Sequence, residues 1–223
     1  AVLSHDLRTP LMSISAAATV LKRQPDTDRV AVLADRVLSS SQRMGRMIED
    51  LLDVTRIRHA GGLALQLGRA DMQSIVQRTL DEVQTSFPDR NIESVLQGDM
   101  AGVWDSERLC QVATNIVGNA IHHGAPDQPV RVAVDGTQAS VVTVAVSNGG
   151  TIAPELLPHL FDPFRGRDRA PGRHQGLGLG LFIAHQVVRA HGGRIDVHSQ
   201  DGTTRFVVEL PRVSPAAEKW SNT

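Results

Sequence analysis

Polar and apolar positions along the 223-residue chain change rhythm near Gly61 and Gly62. Before that point the repeat is helical. Val30, Leu33, Val37, Ser40, Met44, Met47, Leu51 and Val54 follow one another at alternating spacings of three and four, which is a heptad seam. Leu3, Leu7, Ile14, Ala17 and Leu21 form a similar stripe upstream. The spacing predicts two helices, over about residues 1–24 and 29–59, joined at Pro25, Asp26, Thr27 and Asp28, residues that favour a turn. Two helices with a tight turn make an antiparallel hairpin. Its apolar surface exceeds what one hairpin hides alone, so a four-helix bundle from two copies is expected, in preference to packing on the rest of the chain.

From Leu63 onward the pattern mixes strands and helices. Residues 63–67 alternate like a strand, and 71–85 read as a helix begun by Asp71. Ile92 to Leu96 and Val103-Trp104 are short strand candidates, and Asp105 is the expected N-cap of a helix reaching His123. Val130–Val134 and Ser140–Val146 flank the turn signal Asp135-Gly136. A helix over 178–191 should stop at Gly192-Gly193, and 194–198 with 204–210 should form a hairpin around Asp201-Gly202. The polar tail from Pro211 is expected to be loose. This makes a helical-hairpin unit, residues 1–60, then a two-layer α+β unit, residues 63–212, and a flexible tail, residues 213–223.

Composition narrows the function. A net charge of −1 gives no support to nucleic-acid binding. No apolar run is long enough to span a bilayer, so a membrane enters only through a missing upstream region, and a cytoplasmic fragment is expected. The chain begins at Ala1 without a Met, which reads as a fragment. Cys110, the single cysteine, excludes an internal disulfide and reads as a small core residue.

Candidate chemistry begins at His5. Two residues from both Leu3 and Leu7, it points away from the seam, where a ring nitrogen is accessible. Asp6 can orient the imidazole, and Thr9, four residues on and on the same face, can orient a water. Pro10 lacks the amide hydrogen that would bond the Asp6 carbonyl, at a cost of about 3 kcal/mol in a helix interior, and a local bend beside the histidine is expected. The run from Ser4 to Pro10 closely resembles the H box of bacterial sensor histidine kinases. That resemblance implies that His5 attacks the γ-phosphate of ATP, that Asp6 assists, and that Thr9 has a phosphatase role.

Asn115 and Asn119 are four residues apart on one predicted helix and share a face. An amide oxygen suits Mg²⁺, which keeps waters and substrate phosphates as its other ligands. His122 and His123 follow at the helix end and can donate to phosphate oxygens. The run from Gln111 to Gly124 resembles the kinase N box, with a His pair in place of the commoner Lys-Tyr. Gly176, Gly178 and Gly180 alternate before a helix, as a phosphate-approaching loop would, and resemble the second glycine box. Between them, residues 165–175 carry Arg165, Arg167, Arg169 and Arg173 and correspond to the nucleotide lid, while Phe161 and Phe164 resemble the F box. The first glycine box, around Asn148, Gly149 and Gly150, is shorter than the family pattern and has Asn where the family uses Asp. Its amide oxygen can still accept from the adenine amino group.

The resemblance covers residues 1 to about 212, with four motifs in family order. It implies a dimeric four-helix bundle through residues 1–60, followed by a GHKL-type ATP-binding sandwich, the Bergerat fold. It also implies ATP and Mg²⁺ as cofactors and phosphoryl transfer from His5 to an aspartate of a response regulator receiver domain. Gyrase-like ATPases of the same fold place a Glu where this chain has Asn115, which cannot act as a general base; water attack is disfavoured. The alternative is a dimeric signalling scaffold with a degenerate ATP site.

Overall fold

The structure, a computed structural model, describes residues 2–23, 27–59, 63–164 and 177–213, with backbone alone for residues 2–5 and Thr27. Two long helices open it, α1 (Val2–Leu21) and α2 (Thr27–His59), packed as an antiparallel hairpin. The heptad seam holds from Leu33 onward, whereas Val30 at its expected start is exposed. Leu33, Val37, Ser40, Met44 and Leu51 are half-buried and Met47 and Val54 are buried, whereas most positions between them are exposed. Helix α1 continues through Pro10, which is buried.

The remainder forms two layers. A five-stranded sheet has the order β2 (Ile92–Gly98), β4 (Val130–Gly136), β5 (Val141–Gly149), β7 (Thr203–Pro211) and β6 (Arg194–Gln200). The β2/β4 pair is parallel and the others are antiparallel. Helices α3 (Met72–Ser86), α4 (Ser106–His123) and α5 (Gly180–Ala190) carry its apolar cover. Val130, Val132 and Val134 alternate inward on β4, and Phe206, Val208 and Leu210 do so on β7, as period-two strands require. Met47 and Val54 of α2 belong to the same buried cluster as this core, so the hairpin is packed against the sandwich.

Asp71 and Asp105 cap α3 and α4 as expected, accepting from the amides of Gln73 and Arg108. Cys110 is half-buried against the core, its Sγ accepting from Arg78. Three expectations need correction. The strand expected over 63–67 lies instead at β1 (Gly68–Asp71), paired with β3 (Ala101–Trp104) in a separate two-stranded sheet. Upstream, the Gln66 amide is taken by the Asp105 carboxylate at 2.8 Å and not by a strand partner. The helix expected over 178–191 is Gly180–Ala190, because Gly178 holds a left-handed φ of 68°. Pro211 is not the start of a loose tail. It ends β7, Arg212 donates to the carbonyls of Asp99, Ala101, Gly136 and Gln138, and Val213 bridges Val103. Residues 214–223 lie outside the described residues.

Candidate active site

Helix α4 organises the site. Arg108, Gln111, Asn115, Asn119 and His122 succeed one another at three- and four-residue spacings and form one stripe along it. Asn115 sits against the start of α5: a Cβ built on Gly180 would lie 2.9 Å from Asn115 Oδ1. Only a glycine allows that approach without displacing the amide. Asn115 Nδ2 is buried without a hydrogen-bond partner among the described residues. At the other end of α4, the exposed His122 ring stands edge-on to Phe87, centroids 5.2 Å apart. Partial burial, and then the charge of Arg43, hold its pKa below the usual histidine value. His123 is exposed.

The floor is built at the end of β5. Asn148 is buried, and its Nδ2 donates to the Gly149 carbonyl at 2.9 Å, leaving Oδ1 as the acceptor. The Gly149 carbonyl also receives the Ala125 amide, which ties this loop to the end of α4. Gly150 is held through its amide to the Gly202 carbonyl and its carbonyl to Thr204 Oγ1. Across the site, the ring of Phe161 stacks on His185 of α5 at 5.0 Å. The Phe164 amide donates to the Gly178 carbonyl at 3.0 Å, so both flanks of residues 165–176 are pinned together. Gly176 and the four lid arginines lie outside the described residues.

The domain described as "Histidine kinase-, DNA gyrase B-, and HSP90-like ATPase" matches residues 104–214, and the "His Kinase A (phospho-acceptor) domain" matches residues 1–60. A bacteriophytochrome of Pseudomonas aeruginosa is 35% identical over 95% of this chain and 29% of its own length. The probable sensor histidine kinase TcrY of Mycobacterium tuberculosis is 34% identical over 93% of this chain and 44% of its own length. The chain belongs to the two-component sensor histidine kinases. It corresponds to their catalytic core and spans less than half the length of these two relatives. The fold is shared with the Acinetobacter baumannii histidine kinase AdeS, at TM-score 0.69 and 21% identity, over 93% of this chain and 98% of that one. The histidine kinase ThkA, solved with its response regulator protein TrrA, also shares it, at TM-score 0.63 and 20% identity, over 94% of this chain and 59% of that one.

In this histidine kinase core, His5 lies in the first turns of α1, its side chain outside what is described. Asp6 is half-buried and Thr9 exposed on the same helix. Among the described residues no helix is long and apolar enough to cross a membrane.

Sequence reasoning missed the junction between hairpin and sandwich. Asp53 of α2 is buried; its Oδ2 receives Arg108 Nη1 at 2.5 Å and Gln111 Nε2 at 3.0 Å. Arg56 stands 3.8 Å from its other oxygen. One turn away, burial first and then the charges of Asp53 and Glu49 raise the Asp50 carboxyl to about 6, against the pull of Arg46. Behind Arg108, the fully buried His191 accepts the Asp105 amide at Nε2, 3.0 Å, while Nδ1 bonds the Val187 carbonyl at 2.9 Å. That pairing requires a neutral imidazole with its proton on Nδ1, in keeping with the lowered pKa that burial produces. One signal was available: Asp50 and Asp53 are acids beside seam positions of a heptad helix, where a charge needs a partner.

Proposed function

We propose that this core phosphorylates itself on His5 with ATP and passes the phosphoryl group to an aspartate of a response regulator receiver domain, with Thr9 serving dephosphorylation. The observation that carries the reading is the α4 stripe. One helix face docks the hairpin through Arg108 and Gln111 and, a turn or more further on, presents Asn115 against the start of α5, with Asn119 one turn beyond it on α4. The phosphoacceptor hairpin and the nucleotide face are therefore parts of one packed unit. Asn115, in place of a carboxylate, offers no base to activate water, which leaves a protein nucleophile.

The residues fit Mg²⁺ as a metal that arrives with its nucleotide. Among the described residues no cluster of three or more His, Cys, Asp or Glu could hold a metal alone, and the amide oxygens of Asn119 and Asn115 supply the few hard ligands such a complex needs. When bound there, the ion would neutralise phosphate charge. Asn148 Oδ1 would accept from the adenine amino group, Gly150, Gly178 and Gly180 would let the backbone approach the nucleotide, His122 and His123 would face the phosphates, and Phe161 and Phe164 would anchor the flanks of the lid.

The hairpin serves as the homodimer surface, residues 1–60. Leu11, Met12, Leu38, Ile48 and Leu52 are 47–63% exposed outside its own seam, a strip suited to a second copy completing four helices. The decisive experiment is incubation with γ-labelled ATP and Mg²⁺. Acid-labile label is expected on the wild type and absent from His5→Gln and Asn119→Ala; equal label on His5→Gln would refute the assignment. ATP binding without any label on the wild type would favour the scaffold reading.

A further inference from the structure

The inward face of the five-stranded sheet changes character at one end. Val197, Phe206 and Val146 stand opposite one another across β6, β7 and β5, and that row is apolar. Two residues along each strand, the next row on the same face is Ser199, Thr204 and Asn148. Thr204 and Asn148 are buried and Ser199 is half-buried. Polar side chains in a sheet interior need partners, and here the partners lie in the turn that follows β5.

The hydroxyl protons of this row can be assigned. Thr204 Oγ1 donates to the Gly150 carbonyl at 2.8 Å, which uses its one proton. In its 2.8 Å contact with Ser199 Oγ it is therefore the acceptor. Ser199 gives its proton to Thr204 and accepts the Ile152 amide at 2.7 Å. The relay thus runs one way, from the Ile152 amide through Ser199 and Thr204 to the Gly150 carbonyl, and clamps residues 150–152 from both ends. Gly150 has a φ of 114°. Glycine enters that region as readily as others, so the turn is set by its ties and not by its own preference.

The Gly150 amide, tied to the Gly202 carbonyl at 2.7 Å, belongs to the same planar peptide unit as the Gly149 carbonyl. That carbonyl receives Asn148 Nδ2 at 2.9 Å. Whatever fixes residues 150–152 therefore fixes the carbonyl that orients the Asn148 amide. An asparagine amide, unlike a carboxylate, has two unlike ends; turned over, it offers a donor in place of Oδ1. We infer that Ser199, acting through Thr204 and the peptide joining Gly149 to Gly150, is a positioning residue that makes this site select a 6-aminopurine nucleotide over a 6-oxopurine one. The inference rests on the base contact proposed above for Asn148. With the relay intact, Oδ1 accepts from a 6-amino group, whereas a 6-oxo group would set acceptor against acceptor. Without Ser199 Oγ, the Ile152 amide loses its acceptor and Thr204 its donor. The turn is then free to shift, and the Asn148 amide can take either orientation.

The test compares the full chain with Ser199→Ala and with Ser199→Thr, which keeps a hydroxyl. Equilibrium binding of Mg-ATP and of Mg-inosine triphosphate, whose base carries a 6-oxo group, is measured beside the thermal midpoint. The wild type should bind ATP at least about tenfold more tightly than inosine triphosphate. Ser199→Ala should lower that ratio about tenfold, with ATP weakening while inosine triphosphate holds or tightens. Ser199→Thr should restore the ratio to within about threefold of the wild type. A serine that merely supports the fold would lower the midpoint and weaken both nucleotides alike, and that result overturns the proposal. So would an unchanged ratio in Ser199→Ala, or a Ser199→Thr variant no more selective than Ser199→Ala. A wild type that binds the two nucleotides equally, or neither, would instead remove the base contact at Asn148, and the inference with it.

Discussion

Replacing Arg108 with Met keeps its stem and removes the cation that faces Asp53. The Asp53 side chain is 4% exposed and that of Arg108 21%, so most of the pair is out of water. Leaving one partner of a buried pair alone costs about 3–5 kcal/mol. Here two groups soften the loss: the Gln111 amide at 3.0 Å, and Arg56 at 3.8 Å from the other oxygen. A net loss of about 2 kcal/mol follows, because a hydrogen bond to a charged group retains about 1.5 kcal/mol or more. The carboxylate regains water if the hairpin separates from α4, so the loss falls on docking and not on either core. Docking should weaken about 30-fold. The assay is a double-mutant cycle of Arg108→Met and Asp53→Leu, with urea unfolding and a distance label on each unit. Arg108→Met should split one transition into two and lengthen the label distance, while the double variant recovers most of the loss. A coupling energy below about 0.5 kcal/mol would refute the reasoning.

Asp50 should make stability pH-dependent. Its folded pKa, raised from 3.8 to about 6, means that the folded state holds a proton which the unfolded chain has released. The stabilisation is full below pH about 4 and is lost as pH rises through 6. Asp50→Asn should therefore be more stable than wild type by about 2 kcal/mol at pH 7.5 and equal to it at pH 3.5, measured by urea unfolding across pH. Gly180→Ala puts a Cβ 2.9 Å from Asn115 Oδ1 and should raise the KM for ATP about tenfold with little change in thermal midpoint; an unchanged KM would remove Asn115 from the nucleotide site. Asn148→Asp exchanges the donor facing the Gly149 carbonyl for a second acceptor. The gain of about 1 kcal/mol from a charged acceptor for adenine is offset by the lost bond, so ATP affinity measured by titration should change less than about threefold.

Much of this molecule is local in origin. The heptad of α2 predicts which positions are buried because a helix repeats every 3.6 residues whatever lies beyond it. Asp71 and Asp105 cap their helices through bonds two and three residues away, and the Asn115–Asn119 stripe needs only one helix. The hairpin, the two-layer sandwich and the ATP-site motifs were therefore legible from the chain alone. Other features depend on partners remote in sequence. Residues 63–67 alternate like a strand, yet pairing begins at Gly68, because the edge offered by β3 starts opposite it at Trp104. Arg212 looks like the start of a tail, but carbonyls more than seventy residues away hold it.

The docking residues are the clearest case. Nothing near Asp53 in sequence announces Arg108, fifty-five residues on. Periodicity states which face of a helix turns inward, but a polar contact between two units depends on where each is placed in three dimensions. The sequence by itself determined the helical hairpin and the sandwich, and pointed to His5 as the candidate nucleophile. The tertiary structure decided how they face each other, because burying Asp53 is tolerable only in an arrangement that brings Arg108 and Gln111 to it.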